Sequence, residues 1–86
     1  MSDVQRLKQE LHQVSTDAKQ AANGLGGFKS KFSEHTGRVQ ALIAGTATGA
    51  DTDIAQLLDA ASSAVESAIG ALEAAADGCQ SYAGQI

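Results

Sequence analysis

Proline and tryptophan are missing from this chain, cysteine occurs once, and aromatic residues make up 3% of its 86 residues. Without proline, nothing in the chain forces a helix to break or kink. With one tyrosine and two phenylalanines, there is little to fill a large core and no row of aromatic rings on which bases could stack. The single Cys79 cannot staple the fold internally, so the redox compartment stays open. Positive charge is scarce as well. Six Lys and Arg stand against ten Asp and Glu, a net charge of −4, which argues against a nucleic-acid footprint. No apolar run approaches membrane-spanning length. Met1-Ser2-Asp3-Val4-Gln5-Arg6 lacks the basic-then-apolar layout of a cleaved signal. The sequence therefore reads as a soluble protein that is cytoplasmic, or secreted by a signal-peptide-independent route.

What is present is periodicity. Apolar residues recur at Val4, Leu7, Leu11, Val14, Ala18, Ala21, Leu25, Phe28, Phe32, Val39 and Leu42, with His35 in phase between the last two pairs. The steps alternate three and four, the stripe of a helix whose seam meets another helix. The phase survives Asn23-Gly24-Leu25-Gly26-Gly27, where each interior glycine costs about 0.8–1 kcal/mol relative to alanine. One helix about 60 Å long, held together there by tertiary packing, is the expectation, with a kink or short break at 23–27 as the alternative. Ser2 or Asp3 is placed to cap its first turn.

Residues 44–51 carry no long apolar side chain and contain Gly45 and Gly49. Gly45 suits a left-handed helix end, and Thr48, Asp51 or Thr52 suits the start of the next helix. The second stripe follows: Ile54, Leu58, Ala61, Val65, Ala68, Leu72, Ala75, Cys79, Tyr82 and Ile86. It is flanked by Leu57, Ala64, Ala71 and Gly78 on one side, and by Ala55, Ile69, Ala76 and Ala83 on the other. A face that wide exceeds what one neighbouring helix covers. The expectation is thus an all-α fold. A single domain over residues 1–86 forms an antiparallel two-helix hairpin (helix 1 about 3–44, turn 45–51, helix 2 about 52–84) that assembles into a four-helix bundle. In such a hairpin Leu42 falls opposite Ile54, Phe28 and Phe32 pack against the Ala61–Ala68 surface, and the first turns of helix 1 overhang the end of helix 2.

The charges split between the two halves. All six basic residues lie before residue 51, and residues 51–86 carry six acidic and no basic ones. Along one edge of helix 1, Asp3, Glu10 and Asp17 are followed by Gly24, Lys31 and Arg38. Against a second, antiparallel copy, Asp3 would meet Arg38 and Glu10 would meet Lys31, with core pairs Val4–His35, Leu11–Phe28 and Ala18–Ala21. A two-fold homodimer of hairpins follows as the leading partner expectation, with a heterodimer (a related helical hairpin or an effector) as the alternative. The interface is expected at Leu11, Val14, Ala18, Ala21, Leu25, Phe28, Phe32, Leu57, Leu58, Val65, Ile69 and Leu72.

No set of residues argues for chemistry. His35 sits in a seam phase with no other ligand in phase, His12 lies on the polar side, and Cys79 and Tyr82 read as seam residues. Gly24-Leu25-Gly26-Gly27 lacks the strand before it and the Lys-Ser/Thr after it that a phosphate loop needs. The reading is a non-enzyme with no cofactor, metal, nucleic acid, membrane or small-molecule substrate.

A hairpin of this length with a Gly-containing turn at mid-chain resembles the Trp-x-Gly superfamily, small helical-hairpin proteins associated with type VII secretion. The resemblance spans the whole chain and is architectural. The turn reads Gly45-Thr46-Ala47-Thr48-Gly49 where the family carries Trp-x-Gly, and Tyr82 is followed four residues later by Ile86, where the family's C-terminal signal has an acidic residue. The Ala- and Gly-rich composition looks like actinobacterial coding. The resemblance implies pairing into four-helix bundles and a role as a secretion-associated interaction partner or targeting companion of a larger effector. The competing expectation is a cytoplasmic structural or adaptor coiled coil whose acidic second helix binds a basic client.

Overall fold

A computed structural model of the chain describes residues 2–43 and 50–86. Two helices account for nearly all of them: α1 runs Asp3–Ile43 and α2 runs Ala50–Gln85. They lie side by side as a hairpin with extents of 67 × 16 × 13 Å. The Gly45 and Thr48 caps expected from the sequence lie outside the described residues, as do the side chains of Asp51 and Thr52.

Ser2 starts α1. Its carbonyl accepts the first helical bond, from Arg6 N–H at 3.2 Å, and its hydroxyl oxygen accepts from the Gln5 backbone N–H at 3.3 Å, so one otherwise orphaned donor of the first turn is satisfied. The helix then passes through Gly24, Gly26 and Gly27 without a break. No described glycine takes a positive φ. The single-helix expectation holds, and the break at 23–27 is not there.

The seam between the helices differs from the expected one by a rotation of each helix about its own axis. Buried or half-buried positions on α1 are Lys8, Leu11, Ser15, Ala18, Ala22, Leu25, Gly26, Lys29, Phe32, Thr36 and Ile43; on α2 they are Ala55, Leu58, Ser62, Val65, Ile69, Leu72, Ala76, Cys79, Ala83 and Ile86. Gly26 apart, both sets follow the alternation of three and four, with Val39 of α1, the position between Thr36 and Ile43, left exposed. Leu11, Ala18, Leu25 and Phe32, with Leu58, Val65, Leu72 and Cys79, belong to both the expected and the observed seam. The second half of the seam is drawn from the other flank. Ser15, Ala22 and Lys29 replace Val14, Ala21 and Phe28, and Ile69, Ala76 and Ala83 replace Ala68, Ala75 and Tyr82.

The flank used is the smaller one, and its size lets the helices come close. Ala18 and Ala22 on α1 and Ala76 and Ala83 on α2 are buried, Ala76 to 1% and Ala83 to 2% exposure. Here the Ser15 hydroxyl donates across the interface to the Ala76 carbonyl at 2.9 Å. Lys8 and Lys29 are half-buried in the seam, a place a lysine can take because its methylene stem is apolar and its ammonium group can reach water. Lys29 Nζ donates to Glu66 Oε1 at 2.8 Å. Consequently Phe28 does not pack on the Ala61–Ala68 surface within the hairpin. It stacks on Phe32, ring centroids 5.6 Å apart, with one face open. Leu42 and Ile54 are likewise exposed.

The Lys29–Glu66 pair has a pH signature. Its hydrogen bond, and then its charge, hold the Glu66 carboxyl below the ordinary glutamate value. A depressed carboxylate contributes stability at neutral pH and loses it as pH falls through the ordinary range into its folded value. Acidification from about pH 5 to about pH 3 should therefore lower the thermal midpoint. The Lys29→Met variant should show a smaller fall over the same range, and an identical fall in both proteins would remove this pair as a contributor.

Candidate interaction surface

Around a helix with a heptad stripe, the residues flanking the seam on one side differ from those on the other. In α1 the Leu11/Ala18/Leu25/Phe32 row is bordered by Leu7, Val14, Ala21, Phe28, His35 and Leu42. The Ser15/Ala22/Lys29 row is bordered by His12, Lys19, Gly26, Ser33 and Gln40. In α2 the corresponding borders are Ile54, Ala61, Ala68, Ala75 and Tyr82 on one side, and Asp59, Glu66, Glu73 and Gln80 on the other. Because the helices are antiparallel, like borders face the same way. Contacts across the polar border bear this out: Lys19 Nζ donates to Gln80 Oε1 at 3.2 Å, and Lys29 meets Glu66 on the same side.

The hairpin is therefore two-sided. One broad side is polar, with its acidic residues, Asp59, Glu66 and Glu73, on α2. The other is apolar and uncovered, with Phe28 51%, Leu42 77% and Leu57 70% exposed, joined by Val4, Leu7, Val14, Val39, Ile54 and Tyr82 as exposed large side chains. On α2 the apolar surface continues outward through Leu57, Ala64, Ala71 and Gly78. On α1 it stops at a charged edge, Asp3, Glu10, Asp17, Lys31 and Arg38, all exposed. Asp17 Oδ1 accepts from Gln13 Nε2 at 2.9 Å, and Arg38 donates to Glu34 at 2.6 Å.

The twelve residues expected at an interface divide by this geometry. Leu11, Ala18, Leu25, Phe32, Leu58, Val65, Ile69 and Leu72 lie in the hairpin's own seam, while Val14, Ala21, Phe28 and Leu57 lie on the uncovered side. Ile69, expected on an outer face, is turned inward. Ser15, Ala22, Lys29, Ala76 and Ala83 were not expected at the seam. On α2 a signal for it existed, since Ala55, Ile69, Ala76 and Ala83 form an apolar flank. On α1 the two lysines in the row concealed it.

Among the described residues no group of His, Cys, Asp and Glu is placed to hold a metal ion, and no helix is long and apolar enough to cross a membrane. Cys79 is a free thiol, half-buried in the seam, and His12 and His35 are exposed on opposite borders. Comparison of the chain with protein-family models, with curated proteins and with solved structures finds no match in any of the three.

Proposed function

We propose that this chain is a non-catalytic protein–protein interaction module, a helical hairpin that supplies half of a four-helix bundle. The observation that carries this reading is the continuous apolar side from Leu7 through Phe28 to Leu42, facing the same way as Ile54 to Tyr82. Exposed apolar surface on this scale marks an interaction site. The hairpin's own core supports the same reading. Among the described residues the buried ones are Ser15 and four alanines, and no large side chain is fully buried, too little apolar burial for a hairpin to rest on alone.

In this reading the module is a type VII secretion-associated small protein of the Trp-x-Gly kind, acting as targeting companion of a larger effector. Support for that role is the hairpin architecture it shares with the family. A cytoplasmic adaptor is the second reading, favoured by the acidic border Asp59, Glu66 and Glu73, a surface for a basic client. Photo-crosslinking in the native cell tests both through their geometry. A crosslinker at Phe28 should give a discrete adduct and one at Glu73 should not. Adducts only from Glu73 would support the adaptor, and none from either would overturn the module.

A further inference from the structure

We infer that the hairpin has two seams and exchanges between them by counter-rotation of its helices, so that α1 and α2 at times cover for each other the apolar side they expose in this structure. This rests on the interaction-module reading and supplies its regulation: one seam offers the docking side, the other withdraws it.

Both seams share one row, from Leu11 to Phe32 on α1 and from Leu58 to Cys79 on α2. In the structure the second row is Ser15, Ala22 and Lys29 against Ile69, Ala76 and Ala83. On the other side of the shared row, at the same heptad spacing, stand Val14, Ala21 and Phe28 on α1 and Ala68, Ala75 and Tyr82 on α2. Exchanging one second row for the other takes half a residue step of rotation, roughly 50° per helix at 3.5 residues per turn. The shared row keeps its level along the rod. Because the helices are antiparallel, turning each the same way about its own chain direction makes them roll on each other like meshed gears. Both large rows therefore enter the seam together.

The two seams are stabilised differently. The one in the structure is narrow, with Ala76 and Ala83 buried and the Ser15 hydroxyl donating across it to the Ala76 carbonyl. Lys29 and Glu66 close its edge. Rotation breaks both of these links and covers larger side chains instead: Val14, Phe28 and Tyr82, each about half exposed here. Burial of apolar area favours the large row, whereas close packing and the hydrogen bond favour the small one. Nothing on α2 opposes the exchange, since either of its flanks turns inward without burying a charge. On α1 the half-buried Lys8 and Lys29 leave the seam. Packed interfaces hold such arrangements as discrete alternatives and not as a continuum. A partner docked on Phe28 and Tyr82 binds only the seam in the structure and shifts the population toward it.

Cys79, the chain's one thiol, lies half-buried in the shared row and reports which residue of α1 faces it. The test adds one cysteine at a time to the full chain: Ser15→Cys, Val14→Cys or Lys19→Cys, each variant checked for helicity by circular dichroism. Each is equilibrated at low concentration with oxidised and reduced glutathione. Closure is read by mass as a monomer that has lost two hydrogens. A disulfide needs Cα atoms within about 7 Å, so closure measures how often a position faces Cys79. Ser15→Cys, one turn from Cys79 at the Ala76 carbonyl, should close readily. Val14→Cys should close with an effective concentration about tenfold to a thousandfold lower, the ratio for a minor form populated at about 0.1–10%. Lys19→Cys, on the polar border, has no apolar row to hold the helices turned its way and should close least. Val14→Cys closing no better than Lys19→Cys would overturn the second seam. Tyr82 is the chain's one strong fluorophore. Its quenching by acrylamide should weaken on closure at Val14 and not on closure at Ser15, and equal quenching in the two closed forms would overturn the rotation. The Phe28 crosslink is independent of both readouts: its loss would remove the module while leaving the two seams, and a missing second seam would leave the docking side permanently open.

Discussion

Replacing Gly27, Gly37, Gly70 and Gly84 together by alanine should raise the thermal midpoint by roughly 10–30 °C. All four lie inside helices and away from the apolar side. None takes a positive φ, and a Cβ built at any of them meets nothing within 4 Å. Alanine would fit there without strain, and it would limit the unfolded chain's freedom where glycine does not. At about 0.5–1 kcal/mol per position, the four sum to roughly 2–4 kcal/mol, a large share of what so thin a fold can possess. Thermal unfolding of the quadruple variant, followed by circular dichroism, reads the effect. An unchanged midpoint would mean that these positions are not helical or are already covered by a close neighbour.

The second large effect separates adjacent residues. Ala76→Leu places three extra carbons where exposure is 1% and the Ser15 hydroxyl meets the backbone. Overpacking at such a site typically costs about 1–3 kcal/mol, enough to unfold much of this hairpin at ambient temperature. Ala75→Leu, one residue earlier, changes an exposed position on the apolar side and should alter hairpin stability by no more than about 0.5 kcal/mol. Urea unfolding of both variants at low concentration compares them directly. The opposite ranking would restore the seam expected from the apolar stripe alone, with Ala75 inside and Ala76 out.

That comparison also shows how far the sequence goes. Two helices and the antiparallel hairpin are legible because alternating three and four survives along both stripes and fails only at residues 44–51. The continuity of α1 through Gly24–Gly27 is legible for the same reason. Which side of the shared row closes inward is not. Leu11, Ala18, Leu25 and Phe32 can pair with either flank, and hydropathy favours Val14 and Phe28 over Ser15 and Lys29. Close approach favours the smaller flank instead, and a lysine in a seam costs little when its ammonium reaches water and a carboxylate. The larger side chains are left outside. A pattern of apolar positions records that a residue seeks cover, not which chain provides it.

The packing is uneven along the rod, with a kinetic consequence. The tight layers, Ser15, Ala18 and Ala22 with Ala76 and Ala83, lie toward the chain ends. Near the turn Leu42, Ile54 and Leu57 stand exposed. Forming the Ser15–Ala76 layer joins residues 61 apart in the chain, and the entropy of closing such a loop is met before the strongest contacts are made. The best-buried layer is thus also the one with the longest loop to close, and the hairpin is held most firmly at its mouth. The first amides to exchange on warming should be those of residues 39–43 and 54–58.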